Sequence, residues 1–133
     1  MEKIEEVSIN NSEDIILARQ IAREMAKELG FGLADQTRIT TAVSELSRNI
    51  YTFAGTGRVV VKALSESAKK GMEIIAEDRG PGIPDIEMAM QDGYSTNKGL
   101  GQGLPGTKRL MDEFEIKSEA GKGATVTIRK WLR

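Results

Sequence analysis

The stretch "RVVVKALSESAKKGMEIIAEDRGPGIP", residues 58–84, decides the architecture. It holds two β-prone runs, RVVVKAL (58–64) and MEIIAED (72–78), separated only by the polar SESAKKG. A connection that short joins neighbouring strands, so the two runs are expected to pair antiparallel. Asp78 closes the second run, and RGPGIP (79–84) must leave the sheet as a loop. A carboxylate at the lip of a sheet, beside Gly80-Pro81-Gly82 backbone, can accept a hydrogen bond from an exocyclic amine as a flat ring slides in. Read alone, an aspartate there is also an ordinary turn residue.

Upstream, KIEEVSIN (3–10) alternates as a short edge strand. Asn11 or Ser12 offers a helix cap, and Ile15, Ala18, Ile21, Ala22, Met25 and Leu29 recur at helical spacing until Gly30, which predicts a helix over 13–29. Arg19, Arg23 and Lys27 form a basic stripe on its other side. A second helix is predicted from a cap at Asp35, with Ile39, Ala42, Val43, Leu46 and Ile50 as its apolar stripe, running to Ala54. Downstream, a short helix is expected over 85–91 and another from Pro105, followed by strands FEIKSE and ATVTIRKWL joined by AGKG. The order β-α-α-β-β-α-loop-α-β-β argues for a two-layer α/β sandwich, with a mixed, mostly antiparallel sheet and helices on one face.

The length of 133 residues suits a single domain spanning 1–133. A net charge of −1 without a polybasic run argues against nucleic acid or anionic membrane as a main partner. The absence of cysteine and histidine excludes disulfides, thiolate or imidazole metal sites, and phosphohistidine intermediates within the chain. No signal peptide and no membrane-length apolar run are visible, so a cytoplasmic location is expected.

DGYSTNKGLGQGLPGTKRL (92–110) nearly spells two phosphate-binding motifs. Gly101-x-Gly103-x-x-Gly106 fits a dinucleotide fingerprint, but no buried strand leads into it. A Walker A loop needs lysine before the hydroxyl residue, and Thr107-Lys108 reverses that order. Three further clusters stand beside this loop. Glu45 and Asn49 in SELSRN lie four residues apart on one helix face, an arrangement suited to Mg²⁺ chemistry and to handling a hydroxyl proton, or simply to a solvated face. The second is the Asp78 turn. The third is GKGAT (121–125), where Thr125 opens a strand that can lie next to Asp78 and turn its hydroxyl toward the same pocket.

In this order, over about eighty residues, ELSRN, DRGPGI, GLGQGL and GKGAT resemble the four boxes of the GHKL (Bergerat) ATP-binding fold shared by gyrase, Hsp90, histidine kinases and MutL. Within that superfamily, ARQIAREMAKELGFG, RITTAVSELSRNIYTFAG, IIAEDRGPGIPDIEMAM and GLGQGLPGTKRLMDEFEI are similar to the anti-sigma-factor kinases, specifically the stressosome switch kinases. The resemblance implies a serine/threonine-protein kinase that uses ATP and Mg²⁺. It implies Asn49 as the Mg²⁺ ligand and Glu45 as the group that orients or deprotonates the attacking hydroxyl. Asp78 would accept from the adenine amine, with Gly80 in the same box and Gly82 and Thr125 backing it through water. Lys98, Gly99, Gly101 and Gly103 would line the phosphates as an ATP lid. The implied substrates and binding partners are STAS-domain antagonist and scaffold proteins (of the RsbS and RsbR kind), with a downstream effector such as a PP2C-type phosphatase. The alternative is a partner-switch binding protein whose affinity ATP tunes, with little catalysis. The resemblance assigns no role to Arg48.

Overall fold

A computed structural model of the chain describes residues 3–80, 103–119 and 121–133. Its elements are β1 (Ile4–Ile9), α1 (Ser12–Leu29), α2 (Leu33–Phe53), β2 (Gly57–Glu66), β3 (Lys69–Asp78), α3 (Gly103–Leu110), β4 (Glu113–Glu119) and β5 (Gly123–Trp131). The five strands form one sheet in the order β1-β2-β3-β5-β4, and every pairing is antiparallel. The expected α/β sandwich is therefore present, with an antiparallel rather than mixed sheet among the described residues.

Alternation along each strand sorts the sheet into two faces. Val7 and Ile9, Val59 and Val61, Met72, Ile74 and Ala76, and Val126 and Ile128 are all buried on one side. They meet Ala18, Ala22, Met25 and Ala26 of α1 and Ile39, Ala42, Val43, Leu46 and Ile50 of α2 in one apolar cluster. The three alanines of α1 recur every four residues and let the two long helices approach closely. Burying each Ile, Leu or Val of such a cluster contributes roughly 1.5–3 kcal/mol relative to exposure. The opposite face is held by charge: Arg58 bridges Glu6 and Glu77, and Arg129 bridges Glu73 and Glu113. No helix among the described residues is long and apolar enough to cross a membrane.

Local signals fix the element ends. Asn11 caps α1, its Oδ1 accepting from the Asp14 amide at 3.1 Å, while Asp14 Oδ2 accepts from the Asn10 amide at 2.8 Å. Gly30 ends the helix in the left-handed region (φ 97°), a conformation in which a Cβ is disfavoured. Asp35 is not the cap of α2: that helix starts at Leu33 after Gly32, and Asp35 lies in its first turn, where a negative charge suits the helix dipole. The polar segment between the two central strands is mostly strand, because β2 and β3 pair down to Glu66 and Lys69. Its exposed Ser65, Glu66, Lys69 and Lys70 carry no core signal, so the sequence makes this hairpin read shorter than it is. α3 starts two residues before Pro105, placing the proline in the first turn, where its missing N–H costs nothing. The expected helix at 85–91 lies outside the described residues.

Lys130 locks these parts together at the far end of the sheet. It is 9% exposed, and its Nζ donates to the Leu110 carbonyl at 3.2 Å, at the C-terminus of α3. It also lies 3.8 Å from Asp35 on α2. This contact shows that the Asp35 side of α2 faces β5 and α3.

Candidate nucleotide site

At roughly 100° per residue, Glu45 and Asn49 project within about 80° of Asp35 around α2. They therefore occupy the flank of the helix that looks toward α3, beside the buried stripe. The structure agrees with that placement: Glu45 is buried at 9% exposure, and Asn49 is half-buried. Arg48 donates from Nη1 to Glu45 Oε1 at 2.9 Å, an i,i+3 pair. The next residue, Ile50, touches the start of β2: a Cβ on Gly57 would stand 2.7 Å from Ile50 Cγ2. The C-terminal half of α2 is thus seated against the strand end that carries Asp78.

Asp78 sits on the helix-facing side of the sheet, in register with Gly57 on β2 and Ala124 on β5. Its neighbours in that row are therefore a hydrogen atom and a methyl group. α2 fills the Gly57 flank through Ile50, and among the described residues the Ala124 flank carries no bulky side chain. The Asp78 carboxylate is fixed by its own turn, Oδ1 accepting from the Gly80 amide at 2.9 Å. Gly80 is required there, since a Cβ would come within 2.5 Å of Ala54 Cβ. Gly123 closes the back. It has φ +107°, and a Cβ on it would fall 2.1 Å from the Asp78 carbonyl oxygen and 2.8 Å from Arg79 Cα. Both obstacles are backbone and cannot swing away. Gly123→Ala is expected to destabilise the fold by about 1–3 kcal/mol through strain of this kind. Urea unfolding followed by circular dichroism measures it, and an unchanged midpoint would show that the hairpin yields.

One site residue lies elsewhere than expected. Thr125 is on the strand next to Asp78, but it pairs with Glu77. Strand alternation turns its side chain to the face away from the helices, and Ala124 takes the place across from Asp78. The residue that shares the Asp78 row is thus one position earlier than the sequence reading has it. Gly82, Lys98, Gly99 and Gly101 lie outside the described residues; Gly103 is the first residue of α3. Gly57 was not singled out from sequence, and Gly123 and Ala124 entered only as members of GKGAT, because their individual importance arises from what approaches them across the sheet.

A groove of about 380 Å³ opens behind this end of the sheet, lined by Glu6, Ser8, Arg58, Glu77 and Arg79 and bordered by Gly57 and Asp78 themselves. It lies largely on the outer face. Arg58 there is neutralised by two carboxylates, at 2.8 and 3.1 Å, so the groove offers a polyphosphate little net attraction. Among the described residues no cluster of three or more carboxylates, histidines or cysteines could hold a metal ion.

The family model described as histidine kinase-, DNA gyrase B-, and HSP90-like ATPase matches residues 34–133. The chain is 58% identical over 127 residues to the serine/threonine-protein kinase RsbT of Bacillus subtilis (strain 168), covering 96% of each. It is 32% identical over 130 residues to an anti-sigma F factor of Thermoanaerobacter sp. (strain X514), covering 93% of this chain and 90% of that one. In three dimensions it is similar to a Mycobacterium tuberculosis protein containing RsbU and RsbW domains (TM-score 0.64, 20% identity, all of this chain and 33% of that one). It is also similar to the catalytic domain of the histidine kinase ThkA (TM-score 0.52, 17% identity, 95% of each chain). These two likenesses concern the fold.

Proposed function

The chain belongs to the histidine kinase-, DNA gyrase B-, and HSP90-like ATPase family, and from that premise we propose that the Asp78 end of its sheet binds Mg·ATP and delivers the γ-phosphate to a serine or threonine of a STAS-domain protein. It is an ATP-dependent serine/threonine-protein kinase, and its anti-sigma-factor relatives put it in partner-switching signalling. The observation that carries the site assignment is the Asp78 row. A carboxylate with one oxygen committed to the Gly80 amide stands between a glycine and an alanine, so a flat ring can reach the second oxygen edge-on. In this reading the whole chain, 1–133, acts as one ATP-binding kinase unit in the cytoplasm.

Each residue then has a task. Asp78 Oδ2 accepts from the adenine amine. Asn49 supplies its carboxamide oxygen to Mg²⁺, which neutralises phosphate charge when bound. Glu45 receives the proton of the attacking hydroxyl. The N-terminus of α3 at Gly103, with the glycines before it and Lys98, borders the phosphates, where free amides and the helix dipole favour negative charge. Catalysis by such a site is chiefly positioning and charge neutralisation. Incubation with Mg·ATP and a STAS-domain protein of the same genome is expected to produce an acid-stable phosphoserine or phosphothreonine on that protein. Nucleotide binding without any such product would leave only partner binding as the output. The effector released by the switch is, in this proposal, an enzyme such as a PP2C-type phosphatase.

Docking is assigned to α1. Arg19, Arg23 and Lys27 are exposed along one line, and none has an ion-pair partner among the described residues. Other arginines nearby are paired, Arg38 with Asp35 and Arg48 with Glu45. An unpaired basic stripe will sense a phosphorylated partner, whose added charge is about −1.5 to −2. Arg23→Glu is expected to raise the Michaelis constant for the STAS-domain substrate at least about tenfold, the effect of reversing a docking charge, with ATP affinity unchanged. An unaltered constant would put the docking face elsewhere.

A further inference from the structure

Arg48 stands beside the proposed chemistry without a part in it. Its guanidinium reaches from a partly open position (38% of its side chain exposed) onto the Glu45 carboxylate, which is 11% exposed. The contact is end-on: one nitrogen, Nη1, meets one oxygen, Oε1, at 2.9 Å, and Oε2 takes no part in it. A carboxylate on a helix flank has several rotamers, and a triphosphate arriving on the α3 side repels it. An arginine on the same helix, one turn further on, counters both tendencies. It anchors one oxygen and fixes the plane of the group, so the carboxylate keeps its rotamer as the phosphates arrive.

We propose that Arg48 is a positioning residue for phosphoryl transfer, holding Glu45 by Oε1 so that Oε2 is turned to the incoming hydroxyl. The inference rests on Glu45 being the proton acceptor of the proposed function. In the step it serves, the proton of the substrate hydroxyl passes to Glu45 Oε2. The hydroxyl oxygen bonds to the γ-phosphorus, and the bond from that phosphorus to the β–γ bridging oxygen breaks, leaving ADP. Arg48 touches none of the reacting atoms. Its contribution is geometric, and misplacement of a reacting group by about 1 Å is enough to cost on the order of 100-fold in rate.

The test is steady-state phosphorylation of a STAS-domain protein by three variants, with ATP affinity measured by calorimetry. Arg48→Ala is expected to lower kcat about 10- to 100-fold, the range for a mis-aimed base, while the Michaelis constant and calorimetric affinity for ATP stay at the wild-type value. Arg48→Lys keeps the charge at a shorter reach and recovers part of the loss. In a Glu45→Ala background, Arg48→Ala adds no further loss. Arg48→Gln, which retains most of the stem, replaces the alanine variant if that one does not fold. Wild-type kcat in Arg48→Ala beside a slow Glu45→Ala overturns this inference and leaves the proposed function standing. An equal fold-loss from Arg48→Ala with and without Glu45 also overturns it, because the arginine would then act independently. Wild-type kcat in Glu45→Ala removes the base itself and both readings with it.

Discussion

Glu45→Ala is expected to bind Mg·ATP as the wild-type protein does and to transfer phosphate roughly 10²–10⁴-fold more slowly, the range that a positioned general base contributes. The separation of binding from rate follows from location. Glu45 is on the flank of α2, one turn before Asn49, whereas Asp78, proposed to bind the ring, is at the end of β3. Truncation removes the proposed proton acceptor and strands the Arg48 guanidinium, which can turn to solvent through its exposed side. It takes nothing from the Asp78 row. Asn49→Ala should behave differently, weakening binding only when Mg²⁺ is present. Titration calorimetry with and without Mg²⁺, beside single-turnover kinetics, separates the two variants. A Glu45→Ala protein that lost both affinity and rate would place this carboxylate in ground-state binding instead.

Asp78→Asn is expected to weaken ATP by at least about 100-fold, since an unmet hydrogen bond to a charged group costs about 1.5–3 kcal/mol and a buried donor facing a donor costs more. The aspartate has two acceptor oxygens and two donors to satisfy. Oδ1 takes the Gly80 amide at 2.9 Å, and in the proposed site Oδ2 serves the adenine amine. Asparagine keeps a single oxygen. Whichever donor it serves, its NH₂ group points at the other. The substitution is nearly isosteric, so Gly57, Gly80 and Gly123 keep their close approaches and the fold is expected to survive. ATP affinity unchanged by Asp78→Asn would remove this carboxylate from adenine recognition.

The helices and the placement of Glu45 and Asn49 on one flank were legible because helical period sets both: Glu45 and Asn49 share a face for the same reason that Leu46 and Ile50 share the core. The Glu45–Arg48 pair was legible in principle too, as opposite charges three apart on a helix. Asp78 was readable because an apolar strand runs into a glycine turn. Thr125 was misread because a strand gives its two faces only once its register is known. Here β5 begins at Gly123, whose φ of +107° leaves no room for a Cβ beside the Asp78 carbonyl, and Ala124 stands opposite Asp78. The same limit hid Gly57. Nothing local distinguishes a glycine that admits Ile50 from one that ends a loop. The central hairpin read short because its tip is solvated on both faces, so no apolar residue reports its alternation.

The most direct measurement of the site assignment is the structure of the protein with Mg²⁺ and a non-hydrolysable ATP analogue. The adenine amine is expected in hydrogen-bond contact with Asp78, its ring over Ala124, and the metal against the Asn49 carboxamide oxygen. A nucleotide seated instead in the outer groove beside Arg58 and Arg79, with the Asp78 row empty, would contradict it.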